Sequence, residues 1–138
     1  MIMTKINLVL ISILLSVFSS IAQTSKAPEL VVQENLNFYN SRNLEGFISS
    51  FSDSIVLFSF GKDLPLAKGK DEIRTLYGKL FDESPNLYST ILHRATIGNK
   101  VIDHESIVGR RGVADPIEMV MIYEIKYDKI IKMTILRE

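Results

Sequence analysis

At 138 residues, with 16 basic against 16 acidic side chains, 46% hydrophobic residues and no cysteine, the chain has room for one hydrophobic core and needs no covalent staples to hold it. Near-neutral charge excludes a polyanion partner such as nucleic acid, which requires a basic surface to displace counterions. The lack of cysteine excludes disulfide, thiol and lipoprotein-type chemistry.

In chain order, residues 1–22 have the plan of a secretory signal: Lys5 as a short positive region, an apolar stretch from Ile6 to Phe18, and the small residues Ser20-Ile21-Ala22 before Gln23. The apolar run falls short of the roughly 20 residues of a spanning helix. Cleavage near Ala22-Gln23 is expected, giving a periplasmic or secreted protein with no membrane association afterwards. The remaining residues, 23–138, are expected to form a single domain with 15 basic and 16 acidic residues, since Lys5 leaves with the signal.

Pro28 suits the first turn of a helix, and Val32, Leu36 and Tyr39 continue it as an apolar stripe ending near Ser41. Asn43 caps a second, shorter helix carrying Leu44, Phe47, Ile48 and Phe51. Ser52-Asp53-Ser54 interrupts the pattern. Ile55 to Phe60 reads as a first strand, Leu64 to Lys68 as a short edge strand, and Gly69 opens a third helix with Ile73, Leu76, Tyr77, Leu80 and Phe81 on one side. From Leu87 onward the chain reads as two antiparallel hairpins, turning at Gly98-Asn99 and Tyr127-Asp128. The fold class is therefore α+β, with three helices of the N-terminal part packed on a curved, mainly antiparallel sheet.

The stretch Val101 to Gly109 is a strand with three consecutive ionisable residues, Asp103, His104 and Glu105, at its centre. Buried positions exclude such groups unless they are paired or used. A two-residue turn at Gly98-Asn99 pairs Arg94 with Asp103 and His93 with His104. One face then carries Leu92, Arg94, Thr96, Val101, Asp103, Glu105 and Ile107. The other carries Ile91, His93, Ala95, Ile97, Ile102, His104 and Val108. The carboxylate face is assigned to a pocket and the histidine face to a dimer surface. Asp103 and Glu105 are the candidate general acid or base, with Arg94 to orient one of them or neutralise developing charge; the plainer alternative is a cross-strand Arg94–Asp103 ion pair. Strand alternation points the acids away from His104, so the ligand count for a metal fails, and no metal or cofactor is expected. Tyr39, Phe58, Tyr77, Met119, Met121 and Tyr123 are candidates to line a ligand cavity, the alternative being that they are core.

The motifs Phe38-Tyr39-Asn40-Ser41-Arg42-Asn43-Leu44-Glu45-Gly46-Phe47, Lys68-Gly69-Lys70-Asp71-Glu72-Ile73, Gly98 to Glu105 and Met121 to Lys126 resemble the nuclear transport factor 2-like superfamily, in particular its SnoaL-like and steroid isomerase-like small proteins. The resemblance implies a cone-shaped fold whose sheet wraps an apolar pocket, often dimeric through its convex face. The fifth strand, apolar on both faces from Ile117 to Ile125, agrees with such a homodimer. Steroid isomerase-like relatives place an aspartate where this chain has Phe58-Ser59-Phe60 and a tyrosine near Asn35, so classical ketosteroid isomerisation is not expected. Epoxide hydrolase-like relatives carry an arginine and an aspartate where Glu105 and Ile107 stand. What remains is a protein binding a small, mainly apolar molecule, with isomerase, cyclase or hydrolase chemistry at a carboxylate. The alternatives are a non-catalytic carrier in which Arg94 meets a ligand acid, and a dimerisation module.

Overall fold

The computed structural model describes residues 24–138; the expected signal segment lies outside them. Helix α1 (Pro28–Asn40) starts with Pro28 in its first turn. Helix α2 (Leu44–Ser49) is capped by the Asn43 side chain, which accepts from the Gly46 amide at 3.0 Å. Strand β1 (Phe51–Ser59) and the two-residue strand β2 (Ala67–Lys68) precede helix α3 (Gly69–Asp82). Asp71 and Glu72 occupy the first turn of α3 and complement its dipole. Strands β3 (Tyr88–Ile97), β4 (Lys100–Val108), β5 (Ile117–Lys126) and β6 (Lys129–Leu136) complete the chain.

The third helix thus follows two strands, so the helices are interleaved with the sheet and not all N-terminal. The strands form one mixed six-stranded sheet in the order β2-β1-β6-β5-β4-β3. Every neighbouring pair is antiparallel except β1 and β6, which run parallel. The helices cover one face, where Val32, Phe47, Ile73, Leu57, Val101 and Met133 belong to a single buried cluster. Ser52-Asp53-Ser54, expected as a break, lies inside β1 as a register shift between Phe51 and Val56.

The hairpin register follows the Gly98-Asn99 turn: Arg94 faces Asp103 and His93 faces His104. Two residues earlier a bulge intervenes, because Ile91 pairs with Glu105 and leaves Leu92 unpaired. The bulge corrects the expected face assignment for the first half of β3. Ser89 points into the core, 2% exposed, while Leu92 is 50% exposed and does not share a pocket face with Glu105. Ile91 likewise leaves the histidine face. The carboxylate face of β4 is the inner one, with Val101, Asp103, Glu105 and Ile107 all buried.

Candidate functional site

Between the helices and the inner sheet face lies a cavity of about 280 Å³, near the lower end of the roughly 300–1,000 Å³ usual for small-molecule sites. Alternation along the strands decides its floor. Met119, Met121 and Tyr123 come from β5, and Met133 and Ile135 from β6. Tyr39 of α1, Phe47 of α2 and Tyr77 of α3 form the opposite wall, with ring centroids 6.1 Å apart for Tyr39–Phe47 and 4.5 Å for Phe47–Tyr77. Five of the six residues expected to line a cavity therefore do so. Phe58 does not. It sits on the far face of the sheet beneath the Lys132 ammonium, 5.5 Å from its ring, and Ser59 takes the cavity-facing position. The run Ile55 to Phe60 is apolar at nearly every position, so it carries no alternation from which to read the face.

The expected catalytic trio separates into two groups. Asp103 is fully buried and does not reach the cavity; both its oxygens are held by Arg94, with Nε at 2.6 Å and Nη2 at 2.7 Å. Arg94 gives its remaining nitrogen, Nη1, to Gln33 Oε1 at 2.9 Å. The hydrogen bonds to Asp103 hold the guanidinium pKa above its ordinary value. Arg94 and Asp103 form the plainer ion pair, tying β3, β4 and α1 together, and Arg94 does not line the cavity to meet a ligand.

Among the described residues Glu105 is the one carboxylate that lines the cavity. It is 4% exposed and accepts hydrogen bonds from Ser89 Oγ at 2.8 Å and, more weakly, from the Tyr123 hydroxyl at 3.4 Å. Burial raises its pKa to about 7; the nearby Asp103 charge adds to the rise, while the bonds from Ser89 and Tyr123 and the charge of Arg94 oppose it. Burial likewise lifts Tyr39, Tyr77 and Tyr123 above the ordinary phenol value, so all three remain neutral donors.

Ser89 is held in turn by Asn40 at the end of α1. The Asn40 amide accepts from the Ser89 N–H at 2.8 Å and donates to the Ser89 carbonyl at 2.9 Å. Sequence reasoning missed this Asn40–Ser89–Glu105 chain, since no motif signals the bulge that turns Ser89 inward. Asn35 also lines the cavity and anchors on the Phe47 carbonyl at 3.3 Å.

Three arginines were missed as well. Arg110 and Arg111 follow β4, Arg137 follows β6, and all three line the cavity at its solvent-facing end. The available signal was parity: Met133, Ile135 and Arg137 alternate onto the same face. On the opposite face, His104 Nε2 meets Glu118 at 2.9 Å. Among the described residues no group of three potential ligands is placed to hold a metal, and no helix is long and apolar enough to cross a membrane.

A neutral-range carboxyl group, protonated phenols and an apolar wall form a set able to move a proton at a bound molecule shielded from bulk water. Comparison with known proteins places the scaffold that carries this set. An uncharacterized cystatin-fold protein from Novosphingobium aromaticivorans superposes with a TM-score of 0.74 at 18% identity, covering 82% of this chain and all of its own. An NTF2-like protein of unknown function from Cytophaga hutchinsonii gives 0.69 at 13% identity, over 84% of this chain and 94% of that one. An LEH-like epoxide hydrolase from M. tuberculosis gives 0.68 at 12% identity, over 80% and 82%. At such identities the likeness is one of fold. No curated protein matches the chain in sequence. The NTF2-like protein shares the fold, and the model of the SnoaL-like domain matches residues 32–133, which takes in the cavity from Asn35 and Tyr39 to Met133, so the chain belongs to the SnoaL-like domain family.

Proposed function

We propose that this protein binds a small, mainly apolar carbonyl compound in its cavity and catalyses proton transfer at the carbon beside the carbonyl, with Glu105 as the general base and acid. Such a step underlies isomerase and cyclase reactions alike and needs no cofactor. The observation that carries the proposal is Glu105 itself: a single carboxyl group in an aromatic and methionine-lined cavity, with a pKa of about 7. A base of that strength divides its population evenly between the accepting and donating forms near neutrality. Tyr39 and Tyr77, kept protonated by burial, supply donors for a developing enolate oxygen.

The test is deuterium uptake from D2O into a panel of apolar cyclic ketones, followed by NMR. Wild type is expected to catalyse exchange with a rate that rises with pH through about 7, because the ionised carboxylate is the base. Glu105→Gln is expected to lose on the order of a hundredfold. Binding of the ketones without exchange makes the protein a carrier, and exchange unchanged in the variant removes the assignment of the chemistry to Glu105.

The setting proposed for this activity is outside the cytoplasm, as an exported protein whose signal ends near Ala22, and as a homodimer. The support for the dimer is the sheet face turned away from the helices, where Ala95, Ile102, Val120, Ile122 and Phe58 are only half-buried within one chain. Burying such a surface against a second copy removes apolar area from water. Light scattering is expected to give twice the chain mass for wild type and the single-chain mass for Ile122→Asp; a monomeric wild type rejects the dimer.

A further inference from the structure

The cavity's apolar walls leave the charge at its open end without a purpose. Gly109 has φ +71, and a Cβ there would stand 2.2 Å from the Asn86 carbonyl oxygen, so only glycine lets β4 leave the sheet along this path. It delivers Arg110 and Arg111 to the rim in a 3-10 turn. Arg111 itself is held in the left-handed region, φ 49 and ψ 40, a conformation that an L side chain adopts at a cost. Its amide is fixed by Ser84 Oγ at 2.9 Å and its guanidinium by Glu83 at 2.7 Å.

Arg110 and Arg137 have no such carboxylate. Among the described residues neither takes part in an ion pair, although Arg110 is partly buried and both line the cavity. The three guanidinium groups are close enough that the charges of Arg111 and Arg137 add to burial in pulling the Arg110 pKa below its ordinary value. Like charges gathered beside an apolar cavity, with one carboxylate among three, form an arrangement that an incoming anion relieves.

From this we infer that the natural ligand is an amphipathic carboxylate, its apolar body lying against the methionine and aromatic walls and its carboxylate held between Arg110 and Arg137 at the rim. The inference rests on the cavity being a small-molecule site and adds the ligand's charge and direction of entry. The carboxylate stays at the solvent end, so the part of the molecule that reaches Glu105 is remote from the acid. The function of the two arginines is therefore selection and orientation rather than proton transfer. Arg137 is exposed and Arg110 partly buried, so the two present a charge on the solvent side and one on the inner side of the rim.

The probes are ω-phenylalkanoates of increasing chain length and their primary amides, which share an apolar body and differ in charge. Affinities are measured calorimetrically with the purified protein at low salt and about pH 6, where the probe acids are ionised and Glu105 is mainly neutral. The expected result is that the acids bind wild type about tenfold or more tightly than their amides, and that this ratio collapses towards one in Arg110→Gln/Arg137→Gln. Equal affinity of acid and amide for wild type overturns the inference while leaving the apolar small-molecule site intact. A preference that survives in the double variant overturns the assignment to these arginines. Failure of both series to bind overturns the inference together with the reading it rests on. The wild-type ratio decides the ligand's charge without any variant, and circular dichroism of the double variant shows whether its fold is kept.

Discussion

Arg94→Met lowers the unfolding free energy by about 3–5 kcal/mol, read as a fall in the urea midpoint with little change in slope. The cause is Asp103, which is fully buried and takes both its strong hydrogen bonds from Arg94. Removing the guanidinium leaves a carboxylate with no solvent and no donor, and the fold carries its whole desolvation penalty. The pair as a unit is worth far less than its disruption costs, because both charges were taken out of water to form it. The double variant Arg94→Met/Asp103→Leu should therefore recover most of the loss. A single variant that costs less than about 1 kcal/mol, the range of an exposed pair, means that water reaches Asp103 and that the pair is not what ties β3 to β4.

Glu105→Gln has the opposite sign, and its size depends on pH. In the folded protein Glu105 has a pKa of about 7 against an ordinary value of 4.5, so between those values the native state holds a proton that the unfolded chain has released. Stability of the wild type then falls as pH rises through this window. The glutamine variant, which resembles the protonated acid, has no such loss. Its advantage should be negligible near pH 4 and reach about 3 kcal/mol near pH 8, since each pKa unit corresponds to about 1.4 kcal/mol. Calorimetry should show this as a gain in Tm of roughly 10 °C at the higher pH. A gain that does not vary with pH places its origin in packing and not in ionisation. Read beside the deuterium-exchange experiment, a variant that is more stable and less active is the trade expected where a buried ionisable group is retained for its chemistry.

The sequence made the elements legible because their signals were local. The stripe Ile73, Leu76, Tyr77, Leu80 and Phe81 specifies a helix, and the Gly98-Asn99 turn fixes the register that brings Arg94 to Asp103 and His93 to His104. The same register extended too far. It could not anticipate the unpaired Leu92, because a bulge depends on how two strands accommodate each other and leaves no mark on one of them. Past that residue the faces exchange, which is why Ser89 was overlooked as the partner of Glu105. Phe58 failed for a different reason: in Ile55-Val56-Leu57-Phe58 both faces are apolar, and periodicity has nothing to report. Arg110, Arg111 and Arg137 lie beyond strand ends, where a charged side chain is ordinarily solvated; parity marked the face of Arg137, but its meeting with the turn after β4 is a matter of tertiary structure. For Asp103 and Glu105, two residues apart on one strand face, the register already set Arg94 opposite Asp103 and left the ion pair open as an alternative to chemistry; which acid Arg94 holds and which one lines the cavity is decided by the packing.

The parallel pairing of β1 with β6 has a consequence in time. Among the described residues strand β1 has one long neighbour, β6, with Leu57 beside Met133 and Phe58 beside Thr134; its other neighbour is the two-residue β2. Hairpins β3–β4 and β5–β6 can close as soon as their residues are available, since their partners are adjacent in sequence. The segment from Phe51 to Ser59 cannot. Its β6-facing edge waits for the last strand while more than half of the domain is still to be made, and that pairing carries the loop-closure cost of a long connection. The cavity is closed by that same event, since Ser59 of β1 and Met133 and Ile135 of β6 are among its walls. The cavity walls therefore meet only when the two ends of the domain pair, and the waiting edge of β1 is the segment most open to an aggregating neighbour.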